Sequence, residues 1–536
     1  MHILYNARIY TLDDRHPTGS AILINTDKIV KVLHDPKEIQ SLIKDGSTVS
    51  QDMNGGVIIP GLTDAHIHLQ QYTESLSKVD CEVKSKDECL NRIRKRALKT
   101  PRGQWILGHG WNQNNWADGF GSAEELDAVA PHQPVYLTAK SLHAAWVNSA
   151  ALEGARITQH TPDPPDGHIG RDHKGNPNGI LFEGAMKLVS DVIPIQNIVE
   201  LSESLLEAQS HLHRLGLTGV HDFDRDRCFA ALQTLHDQKK LNIRVVKNIP
   251  IDNLDHAIAL GIRSGFGDDF LRIGGVKAFA DGALGPQTAA MLKPYQGDEN
   301  NFGMLLLDEE TLLEKSRQAA HNGLGMCIHA IGDQANHAVL NAFENLRAYE
   351  NKLVKNGILN QPLRHRIEHV QLIHPHDENR LSHLGIIASM QPIHATSDML
   401  MADKYWGERS SNAYAFKTQL NHGAILAFGS DAPVESPNPF WGIHAAVTRR
   451  RENGYPGPNG WYPQQRLSIH EAILAYTAGP AYAGRMENRL GILSPGFLAD
   501  LIVLDVDPFT CEPELLRQIK LIGTMVGGNW VYGKYK

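Results

Sequence analysis

The segment Asp64-Ala65-His66-Ile67-His68 follows directly on the apolar run Val57-Ile58-Ile59-Pro60-Gly61. Residues two apart on a strand point to the same face, so His66 and His68 aim both imidazoles at one point. Two neutral imidazoles on a buried backbone supply half of a zinc site, because ring nitrogen suits borderline metals. With 28 histidines in the chain, the pair alone is weak. Further reactive residues stand at comparable places: Lys277 in Val276-Lys277-Ala278, His329 in Cys327-Ile328-His329, His369 in Glu368-His369-Val370, and Asp431 in Gly429-Ser430-Asp431. Each also has an ordinary structural explanation. His329 could bond backbone, His369 could pair with Glu368, and Asp431 could cap a helix.

The elements that must gather these residues read as alternating strands and helices. Eight candidate strands run over 61–66, 218–223, 243–249, 273–280, 325–330, 366–370, 386–391 and 425–430. Amphipathic helical patterns such as Leu201 to Ala208 and Leu312 to Ala319 separate them. Eight strands with intervening helices predict an α/β fold, a (β/α)8 TIM-like barrel, with an open doubly wound sheet as the alternative. In such a barrel the reactive groups come from the C-terminal strand ends, where His66, His68, Lys277, His329, His369 and Asp431 all fall. The first connection is anomalous, with about 150 residues where a few suffice. Residues 70–195 are therefore expected to be an inserted, substrate-selecting subdomain over the barrel mouth, with a hairpin or lid in Thr161 to Gly179. Short strand patterns in 1–58 and 487–536 predict a β-sandwich built from both termini, leaving 59–486 as the barrel domain with its insert.

Composition narrows the function classes. Hydrophobic residues make up 42% and charged residues 21%, as in folded globular proteins. A net charge of −8 leaves no basic surplus for nucleic acid or anionic membranes. Cys81, Cys89, Cys228, Cys327 and Cys511 are scattered and odd in number, which reads as reduced thiols rather than a disulfide framework. The amino terminus lacks the pattern of a signal peptide, and no apolar run approaches the ~20 residues of a membrane helix. The expected location is cytoplasmic. No feature demonstrates a homodimer, although an apolar interface would allow one.

The chain resembles the amidohydrolase superfamily, in particular its YtcJ-like metal-dependent branch related to N-substituted formamide deformylases. The matching pieces run from Pro60-Gly61-Leu62-Thr63-Asp64-Ala65-His66-Ile67-His68 through Gly108-His109-Gly110-Trp111, Ser141-Leu142-His143-Ala144 and Val276-Lys277-Ala278-Phe279-Ala280-Asp281-Gly282. They continue through Ile328-His329-Ala330, Arg366-Ile367-Glu368-His369, Phe428-Gly429-Ser430-Asp431 and Gly491-Ile492-Leu493-Ser494-Pro495-Gly496. The resemblance implies two divalent metals, by default Zn²⁺. His66, His68 and Asp431 would hold one, His329 and His369 the other, and a carboxylated Lys277 with a hydroxide would bridge them. A cationic Lys277, paired with Asp281 or a substrate carboxylate in a one-metal site, is the alternative.

The implied activity is hydrolysis of a non-peptide C–N bond in a small amide-type substrate: a formamide, an N-acyl amine or a cyclic amide. Asp431 would act as general base and then general acid. Asp64, Glu368 and Asp333 are candidates for partners of the ligand histidines. Trp111 and His143 are candidates for substrate contact; alternatively Trp111 packs the insert and His143 bonds its own loop. A one-metal deaminase would need a glutamate after the fifth strand, where the chain has Gly332-Asp333. A non-enzymatic scaffold would ordinarily have lost ligands that here are all present.

Overall fold

The computed structural model describes residues 1–113, 116–140, 144–165 and 167–535. They divide into two compact units, Met1–Tyr72 with Leu201–Lys536, and Thr73–Glu200.

In the larger unit the two chain ends share one sheet of eight strands. Val57–Pro60 pairs antiparallel with Leu501–Leu504, Ile58 opposite Val503 and Ile59 opposite Ile502. Both strands are buried along their whole length, which explains why each is an unbroken apolar run rather than an alternating one. The chain then passes through Gly61 into the first barrel strand. A Cβ at Gly61 would lie 2.4 Å from the Thr218 side chain, so only glycine allows the two strands to approach here.

The barrel strands are Leu62–Ile67, Leu217–Asp222, Arg244–Pro250, Leu271–Phe279, Met326–Ala330, Arg366–His369, Ile387–Met390 and Leu426–Phe428. They pair in chain order, all parallel. Every boundary falls within two residues of the one expected from sequence, including those of the shortest strand, Leu426–Phe428. The seam between the first and last strands is bridged by backbone: Asp431 N donates to His66 O at 2.7 Å, and His68 N donates to Ala432 O at 2.9 Å. Closure therefore occurs at the residues singled out for metal binding. No helix among the described residues is long and apolar enough to cross a membrane.

The smaller unit carries a six-stranded sheet with an apolar cluster that includes Trp111, Trp116 and Trp146. Gly167–Arg171 and Pro177–Glu183 form an antiparallel hairpin in the region expected to contain one.

Candidate metal centre

His66 and His68 leave the end of the first strand, and Asp431 follows the eighth. One ligand atom from each of the three lies within 4.8 Å of the other two. Asp64 ties the two strands further, its Oδ1 accepting from His66 N and Ser430 N, both at 3.0 Å, and its Oδ2 from the Ser430 hydroxyl. The His369 ring centroid is 4.9 Å from that of His66 and 4.6 Å from that of His329. The four predicted histidines and Asp431 thus gather at one end of the barrel. Asp431, His369 and Val370 have φ of 61°, 78° and 44°, the left-handed region that side chains with a Cβ seldom adopt. Such strain concentrates where surrounding structure imposes a functional geometry.

One nitrogen of each of three histidines is already engaged. His66 Nδ1 is 2.6 Å from Glu368 Oε2, His369 Nδ1 is 2.8 Å from Gln391 Oε1, and His329 Nε2 is 2.9 Å from Gly282 O. These bonds orient the rings and leave His66 Nε2, His329 Nδ1 and His369 Nε2 as the remaining donors of electron pairs. His66 Nε2 is buried with no hydrogen-bond partner among the described residues. Burial, reinforced by the nearby Lys277, pushes His66 down to about 4 and His329 to about 3, which favours the neutral rings that metals bind. Burial would raise Asp431, but the facing imidazoles of His68, His66, His369 and His394 outweigh it and hold the carboxylate well below its usual range. For His68, burial is outweighed by Asp224 and Asp431, which raise it to about 9, so this ring gives up a proton on binding metal. With that proton lost, a buried carboxylate, imidazoles and an orphaned ring nitrogen form a donor set that fits a divalent cation.

Lys277 is almost fully buried, and its Nζ lies 4.8 Å and 4.7 Å from the centroids of Phe223 and Phe279. Burial lowers its pKa. The suggested pairing with Asp281 is not formed: that carboxylate accepts from the backbone N–H groups of Ala290, Ile331 and Gly332. Of the three candidate partners for ligand histidines, Glu368 holds His66 and Asp64 holds backbone. Asp333 instead accepts from Leu292 N and Gln334 N.

Trp111 corrects an expectation. Its side chain is 1% exposed, packed beside Trp116, Phe120 and Trp146, with Nε1 donating to Leu137 O at 2.8 Å. The largest aromatic surface available was consumed by the core of the smaller unit, so it presents no face to a substrate. His143 lies outside the described residues.

Sequence reading missed Asp224, whose Oδ1 is 3.4 Å from His68 Nδ1, and the group Gln371, Gln391 and His394. Asp224, Gln371 and Gln391 lie just beyond strand ends two, six and seven, so inspecting every strand end, including those without histidine, would have found them; His394 lies in the helix that follows strand seven. Asp222, Asp224 and Cys228 also cluster, but the Lys247 ammonium occupies that place, bonded to Asp222 Oδ2 at 2.6 Å and to Asp224 O. A cavity of about 530 Å³ opens onto His68 and Lys277, walled in part by Phe223, Arg225 and Phe279. That size suits a small molecule. A tighter crevice at the opposite end is walled by Arg244 and Asp500, whose charges are spent on each other at 2.6 Å.

Residues 50–532 match the Amidohydro_3 model, described as amidohydrolase family. The chain belongs to this amidohydrolase family. It is 33% identical to the Arabidopsis thaliana protein LONG AFTER FAR-RED 3, over 99% of this chain and 91% of that one. YtcJ of Bacillus subtilis (strain 168), an amidohydrolase by its name, is 32% identical over 99% of both chains. An N-substituted formamide deformylase of Arthrobacter pascens is 28% identical over 98% of this chain and 97% of its own. Among solved structures, a metal-dependent hydrolase from Pyrococcus furiosus superposes with a TM-score of 0.77 at 28% identity, covering 95% of this chain and 100% of that one. As an amidohydrolase-family barrel, the protein is a hydrolase of the metal-dependent type.

Proposed function

We propose that this amidohydrolase-family protein hydrolyses a non-peptide C–N bond in a small amide-type molecule: a formamide, an N-acyl amine or a cyclic amide. The observation that carries the reading is the convergence of His66, His68 and Asp431 on one point, with His329 and His369 beside them. The resemblance in sequence to a formamide deformylase supports the choice of bond. His66, His68 and Asp431 would hold one metal, and His329 with His369 a second. A divalent metal, when bound, lowers the pKa of water to about 7 and polarises a carbonyl as a Lewis acid.

The chain's own residues do the rest. Asp431, ionised and central, takes the proton of the attacking water and returns it to the leaving nitrogen, so the amine departs neutral. Glu368 and Gln391 orient His66 and His369. Burial outweighs the nearby carboxylates of Glu368 and Asp431 and lowers the pKa of Lys277, which favours the neutral amine, the form that would react with CO₂ to give a carbamate able to hold metal. The one-metal deaminase reading is disfavoured because Asp333, at the position where that chemistry wants an acid, is occupied by backbone amides.

Elemental analysis of the purified protein, joined to a panel of formamides, N-acyl amines and cyclic amides, tests this. Two equivalents of metal and C–N cleavage are expected. One equivalent with release of ammonia from an amino-substituted ring would favour the deaminase, and no metal at all would end the enzymatic reading.

A further inference from the structure

Three polar atoms near the centre are buried without a hydrogen-bond partner among the described residues: Gln371 Oε1, Gln391 Nε2 and His394 Nε2. A buried polar group left unpaired is costly, and proteins retain it where a ligand completes it. The opposite end of each side chain is engaged. Gln391 Oε1 accepts from His369 Nδ1 at 2.8 Å, and Gln371 Nε2 donates to His394 Nδ1 at 3.4 Å. A neutral imidazole that accepts at Nδ1 carries its hydrogen on Nε2. His394 Nε2 therefore presents an N–H, and it lies 3.9 Å from Asp431 Oδ2, outside hydrogen-bond range but on the same side of the site. The ring is held in place by its position in the first turn of the helix Pro392–Trp406, where His394 N donates to Gln391 O at 3.1 Å.

We propose that His394 is a further catalytic residue, a neutral donor whose Nε2–H bonds the reacting oxygen of the substrate carbonyl beside Asp431. Gln371 is its positioning residue, fixing the ring tautomer. Gln391 Nε2, unpaired in the same turn, supplies a second donor to that subsite. Water oxygen adds to the carbonyl carbon, its proton passes to Asp431, the C–N bond breaks and the nitrogen takes that proton. His394 keeps its hydrogen throughout and stabilises the charge that builds on the oxygen, an interaction stronger in the transition state than in the bound amide. This inference rests on the amide-hydrolysis reading.

The probe is acetohydroxamate, a small carbonyl-bearing metal ligand, titrated calorimetrically into the metal-loaded protein and its variants, with metal content measured on each sample. His394→Phe is expected to weaken binding about ten-fold at unchanged metal content, while His394→Gln, whose Nε2 can take the place of the lost donor, stays within about three-fold of wild type. On any amide the panel shows to be cleaved, His394→Phe should lower kcat by about 10²-fold with little change in KM. If the phenylalanine variant does not fold, His394→Ala carries the same expectation. Equal affinity of wild type and variant for the probe would overturn the role of His394 alone. Failure of the metal-loaded wild type to bind the probe would overturn the hydrolase reading, and this inference with it.

Discussion

His66 Nδ1 and Glu368 Oε2 meet at 2.6 Å inside the barrel, although 302 residues of chain separate them. Glu368 is in turn gripped by Arg366, whose guanidinium donates at 2.9 Å to the same oxygen. The carboxylate thus joins a candidate ligand to a buried cation, and both partners lose something if it is neutralised. Glu368→Gln should weaken metal retention about 10- to 100-fold, read by dialysis against a competing chelator. Retention equal to wild type would show that His66 needs no such support.

Asp431 is placed both to hold metal and to move a proton. Asp431→Asn should leave the circular dichroism spectrum unchanged and lower turnover on the best amide substrate by about 10²- to 10⁴-fold. Activity above a tenth of wild type would remove Asp431 from that role.

Metal should also stabilise the fold, because His66 Nε2 is buried and unpaired without it. A ligand present at 100 times its Kd adds about 2.7 kcal/mol. Exhaustive chelation should lower Tm by a few degrees, and restoring Zn²⁺ should reverse the change. A melting curve indifferent to both treatments would contradict a built metal centre.

A separate histidine sets a pH dependence away from the site. His365 is buried, its Nε2 2.8 Å from Glu350 Oε1 and its Nδ1 accepting from Met326 N at 3.0 Å; Arg347 and Arg485 also face it. Burial pushes its pKa below the usual 6.5. Between the lowered folded value and 6.5 the unfolded chain binds a proton that the folded one does not, so stability rises with pH there. This contribution is complete above about 6.5 and is lost as pH falls through the folded value. Urea unfolding at neutral pH and at mildly acidic pH should show a larger loss for wild type than for His365→Gln. Equal losses would assign the acid sensitivity to other groups.

The eight strands were legible because each is an apolar run ending close to a polar or reactive residue, a pattern that local chain geometry produces by itself. Lys277, His329, His369 and Asp431 stood out for the same reason. Trp111 did not yield to this reasoning. A tryptophan after two closely spaced glycines looks the same in sequence whether it lines a site or fills a core, and only the packing of Trp116, Phe120 and Trp146 around it decided the matter. Gln371, Gln391 and His394 escaped because glutamine carries no chemical signature, and His394 sits in a helix rather than at a strand end.

The proposed ligand set rested on the resemblance to the amidohydrolase superfamily; from the order of residues alone came the alternation of strand and helix and the pairing of His66 with His68 on one face. These follow from periodicities of two and 3.6 residues, which act over a few neighbours. Tertiary structure decided which ring nitrogen of His66, His329 and His369 is spent on a partner, that Glu368 rather than Asp333 pairs with His66, and that Trp111 is core. Those outcomes depend on strand register and barrel closure, which bring together groups hundreds of residues apart and leave no trace in local spacing.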